Sequence, residues 1–133
     1  MANEPVVHIV DDDAAIRDSL AFLLDTASVV SKTYESAAAL LARAPNLEPG
    51  CIVTDVRMPD MNGLEMVRRL AEIGVRHPVI VMTGHADVPL AIEAVRAGVK
   101  DFIEKPFDDD ALLASIRAAI AGQAQAAEQA GRD

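Results

Sequence analysis

The sequence predicts a small doubly wound α/β domain, with a five-stranded, mostly parallel sheet and helices on both faces. Three observations predict it. Short apolar runs of strand length alternate with stretches whose apolar residues recur at helical spacing. Two of the runs, 51–53 and 79–82, are apolar without alternation, as strands covered on both faces should be. Four of the five runs stop on Asp, Thr or Lys and lead into segments carrying Gly, Pro or further Asp, so each of these feeds a turn. Alternation at this rhythm demands right-handed crossovers between parallel strands. With 133 residues, 51% of them hydrophobic, the chain fits one core and no second domain is expected.

Residues 6–10 form an apolar run broken only by His8, and they end at Asp11-Asp12-Asp13. This reads as a buried strand feeding a loop, with His8 a packed strand residue rather than a ligand. Ile16, Leu20, Leu23 and Leu24 then mark a helix capped by Asp13, with Arg17 and Asp18 left facing water. Residues 29–34 are more polar, as suits an edge strand. Ser36 offers a cap for a short alanine-rich helix through Leu41, and 45–50 is a loop. Residues 51–55 are a buried strand ending on Asp55. Pro59 and the turn dipeptide Asn62-Gly63 follow, then a helix over 64–73 with Met66, Val67, Leu70 and Ile73 as its stripe. Residues 79–83 make a central strand, and Val88, Ile92 and Val95 place a helix before Gly98, Pro89 being tolerated in its first turn. Residues 101–105 are a last short strand. Asp108, Asp109 and Asp110 open the final helix, whose stripe is Leu112, Leu113, Ile116 and Ile120; beyond Ala121 the pattern dissolves.

Composition narrows the function. The 12 basic against 21 acidic residues give a net charge of -9, which argues against direct nucleic-acid binding by this domain. Cys51 is the lone cysteine and sits in an apolar strand, where a packed thiol is expected rather than a reactive one. No signal-like segment or bilayer-length apolar run is present, so a soluble cytoplasmic protein without membrane contact is expected.

Five strands suit the flavodoxin-like order 2-1-3-4-5, whose switch point lies between the first and third strands. Those strands end on Asp11-Asp12 and Asp55, so three carboxylates remote in sequence would share one crevice. At about 5 Å and an effective dielectric near 20, each like-charged pair costs on the order of 3 kcal/mol. Either water solvates these acids or something offsets that cost, and a few hard oxygens partly open to water are what Mg²⁺ accepts while retaining waters. The other two strand ends bring the Thr83 hydroxyl and the Lys105 ammonium. A hydroxyl and an ammonium facing a metal-bound carboxylate are what a transferring phosphoryl group requires.

On these residues the chain resembles the receiver domain of two-component response regulators, most closely those of the FixJ type, a CheY-like fold. The pieces are Val-His-Ile-Val-Asp-Asp at 6–12, Thr-Asp-Val-Arg-Met-Pro-Asp-Met-Asn-Gly at 54–63, Met-Thr-Gly-His-Ala-Asp-Val-Pro at 82–89 and Asp-Phe-Ile-Glu-Lys-Pro-Phe at 101–107. The resemblance implies that Asp55 is the phosphoacceptor, charged by a sensor histidine kinase, with a receiver domain over 1–121. It implies Mg²⁺, with Mn²⁺ as a substitute, on Asp11, Asp12, Asp55 and the backbone carbonyl of Arg57. Lys105 would pair with the phosphoryl group, and the Lys105-Pro106 bond would be cis. Thr83 and Phe102 would form the switch, passing the new charge to a surface made of 88–97, 101–104 and 111–120. Gly84 would give the loop after Thr83 room to move, and a role for His85 in access to the site stays open. A phosphorylation-dependent homodimer through 88–104 belongs to the same picture. Receivers of this kind often carry Gly before the second strand, where this chain has Ala27-Ser28.

Such receivers normally continue into a DNA-binding output domain, whereas 122–133 is an alanine- and glutamine-rich tail or the start of a linker. Output therefore falls to the chain's own further domain or to a separate target, and a stand-alone receiver or phosphorelay intermediate is the alternative. The chain would be no enzyme beyond its own phosphorylation and slow dephosphorylation. An aspartyl-phosphate phosphatase of the haloacid dehalogenase type would need a second carboxylate two residues after Asp55, and Arg57 stands there. A flavodoxin-like electron carrier would need a hydroxyl- and amide-rich loop where Asp11-Asp12-Asp13 would repel a flavin phosphate.

Overall fold

In the computed structural model the described residues are 4–84 and 88–131, with side chains of the last helix described through Gln123. Strands β1 (Val6–Val10), β2 (Val30–Tyr34), β3 (Gly50–Asp55), β4 (Val79–Thr83) and β5 (Asp101–Glu104) alternate with helices. These are α1 (Ala14–Thr26), α2 (Ala37–Arg43), α3 (Gly63–Glu72), α4 (Val88–Ala97) and α5 (Asp109–Gly131). All strand pairs are parallel, in the expected order β2-β1-β3-β4-β5.

The period of two in the central strands divides the core into two layers. Val7, Ile9, Cys51, Val53, Ile80 and Met82 face Leu20 and Leu24 of α1 and Leu112 and Ile116 of α5. Val10, Ile52, Val79 and Val81 face the other way, onto Leu40 of α2, Met66, Val67 and Leu70 of α3, and Ala94 of α4. The strands β1, β3 and β4 are therefore buried almost throughout, while the edge strands β2 and β5 stay half open. Asp13 caps α1 by accepting from the Ala15 N–H, and Ser36 caps α2 by accepting from the Ala39 N–H. Cys51 is fully buried, and that burial pushes its thiol up to about 12.

The residues that place α4, Val88, Ile92 and Val95, are 72%, 48% and 75% exposed, and the helix rests on Ala94 with Leu90 and Ala97. Three local expectations need correction. Ile73 is exposed, because α3 ends at Glu72 and its cap residue swings past the core. Of residues 45–50, placed in a loop, 45–46 belong to a 3₁₀ turn over Ala44–Asn46 led by Pro45, and Gly50 already opens β3. Helix α5 runs to Gly131 rather than fading near Ala121, because Ala, Gln and Glu propagate a helix without an apolar stripe.

Candidate functional site

The carboxyl ends of β1 and β3 lie side by side, Val10 pairing in register with Thr54. The residues that follow them, Asp11 and Asp12, meet Asp55 there, and one carboxylate oxygen from each lies within 4.8 Å of the others. Asp11 is buried, Asp55 half-buried and Asp12 exposed, so the cluster grades from core to water. The Lys105 ammonium, delivered from beyond β5, stands 3.8 Å from both Asp11 Oδ2 and Asp55 Oδ2. Lys105 thus faces two of the three carboxylates.

Local geometry fixes Asp11. The Asp13 N–H donates to Asp11 Oδ1 at 2.9 Å, which turns the other oxygen into the crevice. That Oδ2 is buried with no hydrogen-bond partner, an arrangement that costs free energy unless a cation takes it up. Burial holds the Asp11 carboxyl above its usual range; the Asp13 N–H opposes this and the nearby Asp55 charge adds to it. Arg17, expected to face water, is half-buried and donates from its guanidinium to the Asp11 carbonyl at 2.7 Å. It pins the turn that presents Asp11 and Asp12.

Past Asp55 the Val56 N–H extends the ladder to the Met82 carbonyl at 3.1 Å, and the Gly63 N–H returns to the Val56 carbonyl at 2.8 Å. Asn62 caps α3 by accepting from the Leu64 N–H at 2.6 Å. A Cβ on Gly63 would sit 2.3 Å from the Asp55 carbonyl oxygen, so the bare backbone lets α3 begin directly against the strand end. Arg57 lines a shallow crevice with Asp12, Met58, Pro59 and Asn62. Thr83 is buried at the end of β4, one residue beyond Met82, the register partner of Asp55. Its carbonyl accepts from the Lys105 N–H at 2.7 Å. The Lys105-Pro106 peptide is cis. Phe102 is half-buried opposite Val81 and packs on the α3/α4 layer.

The structure thus gathers Asp11, Asp12, Asp55 and Lys105 at one place, sets Thr83 at the adjoining strand end, and keeps Phe102 one strand further out. His8 lies elsewhere: fully buried, its Nε2–H donates to the Glu48 carbonyl at 3.0 Å and its Nδ1 accepts from the Tyr34 hydroxyl at 2.9 Å. His77 donates to the same carbonyl at 2.8 Å, which fixes both imidazoles in the Nε2–H form. His85 lies outside the described residues. Sequence reasoning did not assign Arg17 or Gly63 to the site. Only Gly63 carried a signal, a glycine opening a helix just after an acidic strand end.

Comparison with known proteins gives the same picture from another side. Residues 7–117 match the model of the response regulator receiver domain. The transcriptional regulatory protein FixJ of Azorhizobium caulinodans is 51% identical over 123 residues, which cover 92% of this chain and 58% of that protein. The crystal structure of FixJ-N superposes with a TM-score of 0.84 at 48% identity, covering 90% of this chain and 95% of that one. Full-length FixJ from B. japonicum superposes with a TM-score of 0.86 at 46% identity, covering 96% of this chain and 63% of that one. This chain therefore spans less than two thirds of the full-length relatives it matches.

Proposed function

Since this chain belongs to the response regulator receiver family, we propose that it is the phosphoacceptor of a two-component signalling system, with Asp55 taking the phosphoryl group from a sensor histidine kinase. The observation that carries the reading is the convergence of Asp11, Asp12, Asp55 and Lys105 at the carboxyl ends of the strands. Nothing in phosphoryl transfer demands more than an aligned nucleophile and neutralised charge. Half-buried Asp55 presents a carboxylate oxygen to the solvent side, where a phosphohistidine can approach in line. Lys105, already 3.8 Å from that carboxylate, pairs with the phosphoryl oxygens as they arrive.

The donor set fits Mg²⁺: it is all oxygen, partly open to water, and includes the orphaned Asp11 Oδ2. Asp11, Asp12, Asp55 and the Arg57 carbonyl would hold the ion. When bound, it supplies charge neutralisation for the carboxylates and the incoming phosphoryl oxygens, and Mn²⁺ would serve in its place.

After transfer, Asp55 carries extra charge and new acceptor oxygens. Thr83 turns its hydroxyl toward them, and Phe102, the register partner of Val81, moves inward. The change reaches α4, β5 and α5, where Val88, Ile92 and Val95 already stand exposed. That apolar stripe supports a homodimer through α4 and β5 in the phosphorylated form. Output would come from a DNA-binding domain continuing this chain or from a separate target protein. The setting is cytoplasmic; among the described residues no helix is long and apolar enough to cross a membrane.

The test is incubation with acetyl phosphate and Mg²⁺. The wild-type chain should gain one acid-stable, base-labile phosphoryl group by mass spectrometry. Asp55→Asn should gain none, and a phosphoryl group retained in that variant would refute the assignment.

A further inference from the structure

We propose that Asp60 is a positioning residue for the metal side of this site, anchoring the loop that carries the Arg57 carbonyl to the amino end of α2. The inference rests on the proposed function, and it concerns how the loop between Asp55 and α3 is held. The loop's two ends are secured by backbone: the Val56 N–H on Met82 and the Gly63 N–H on Val56. Between them, hydrogen bonds are few. Among the described residues, the one that reaches 57–61 runs from the Ala38 N–H to Asp60 Oδ2, at 3.0 Å. Val56, Met58 and Met61 pack the loop onto the core, while Arg57, Pro59 and Asp60 are exposed.

The chemistry of the contact suits an anchor. Helix α2 leaves its first N–H groups without intrahelical partners. Ser36 Oγ takes the one on Ala39, and Asp60 takes the one on Ala38 from outside the helix. A carboxylate at that end is further favoured by the helix dipole. The bond crosses from residue 38 to residue 60, so it ties two elements that chain connectivity leaves independent. Without that bond the exposed part of the loop beside the carbonyl ligand would be ordered in part only when the ion binds, and the affinity would fall by that ordering cost.

The test is Mg²⁺ titration of the metal-free full chain by calorimetry. Asp60→Ala should weaken Mg²⁺ binding roughly tenfold, as loss of a group that orients a metal ligand does. Asp60→Asn, which keeps an oxygen to accept from Ala38, should bind close to wild type. Ser36→Ala, which weakens the same helix end without touching the loop, should also bind close to wild type. In metal-free protein, the Ala38 amide should exchange its hydrogen faster in Asp60→Ala and not in Asp60→Asn. Unchanged affinity in Asp60→Ala would overturn the inference. So would an equal loss in Asp60→Asn, which would assign the effect to charge, or in Ser36→Ala, which would assign it to helix stability. A wild-type chain that took up no Mg²⁺ would overturn the functional reading along with it.

Discussion

At Ser28 the backbone holds a φ of 61°, the left-handed region that costs an L-residue about 1–2 kcal/mol. The residue follows the end of α1, and its N–H returns to the Asp25 carbonyl at 3.0 Å, so the geometry is that of a helix stop where Gly is favoured. Ser28→Gly should raise unfolding free energy by about 0.5–1 kcal/mol, part of the relief being offset by a looser unfolded chain; urea denaturation checks it. His8 makes a second residue-scale case. Burial, with help from the nearby His77, lowers its pKa from 6.5, while the bond to the Glu48 carbonyl resists. The unfolded chain then binds more protons than the folded one just below 6.5. Its contribution to stability is accordingly whole above about pH 6.5 and is lost as pH falls toward the lowered folded value. Denaturation midpoints taken at falling pH should show this loss, and His8→Gln should lack that component. The site's main residues were legible in the sequence because each stands where an apolar run stops. Arg17 and Asp60 were not, since a side chain reaching a backbone group elsewhere in the fold leaves no periodic trace.

At the scale of elements, α3 depends on having no side chain at its first residue. Gly63→Ala places a carbon against the Asp55 carbonyl, so helix and strand end must part; a loss of roughly 1–3 kcal/mol is expected, together with slower phosphoryl uptake from acetyl phosphate. Helix α4 was legible as a helix, while the face it packs was not. It carries two stripes at helical spacing, Val88, Ile92, Val95 and Leu90, Ala94, Ala97. Periodicity reveals a helix from either one, but only packing against the sheet selects the second, whose small Ala94 allows close approach. The consequence is testable: Ile92→Ser should change stability by less than about 0.5 kcal/mol, as a surface substitution does, yet reduce dimerisation of the phosphorylated chain in sedimentation.

For the molecule as a whole, the acidic crevice sets stability against function. Asp11 has its carboxyl raised by burial, so its ionised form destabilises the fold as pH rises through that value, and at neutral pH the penalty is in place. Asp11→Asn should melt at a higher temperature than wild type in chelator. Added Mg²⁺ should then reverse the comparison: at a hundred times its dissociation constant it stabilises wild type by about 2.7 kcal/mol, and the variant hardly at all. Strand order, and with it this crevice, was legible because five alternations admit few parallel arrangements and the acids fall at the switch point.

The sheet also acts as a partition. Val67 and Ile116 lie in separate apolar layers, one on each side, and share no cluster. Damage done by Val67→Ala and by Ile116→Val should therefore sum in the double variant to within about 0.5 kcal/mol in denaturant titrations. Relatives of this chain are thus free to rebuild one side of the domain without compensating changes on the other, and substitutions that travel together should be found within a side rather than across it.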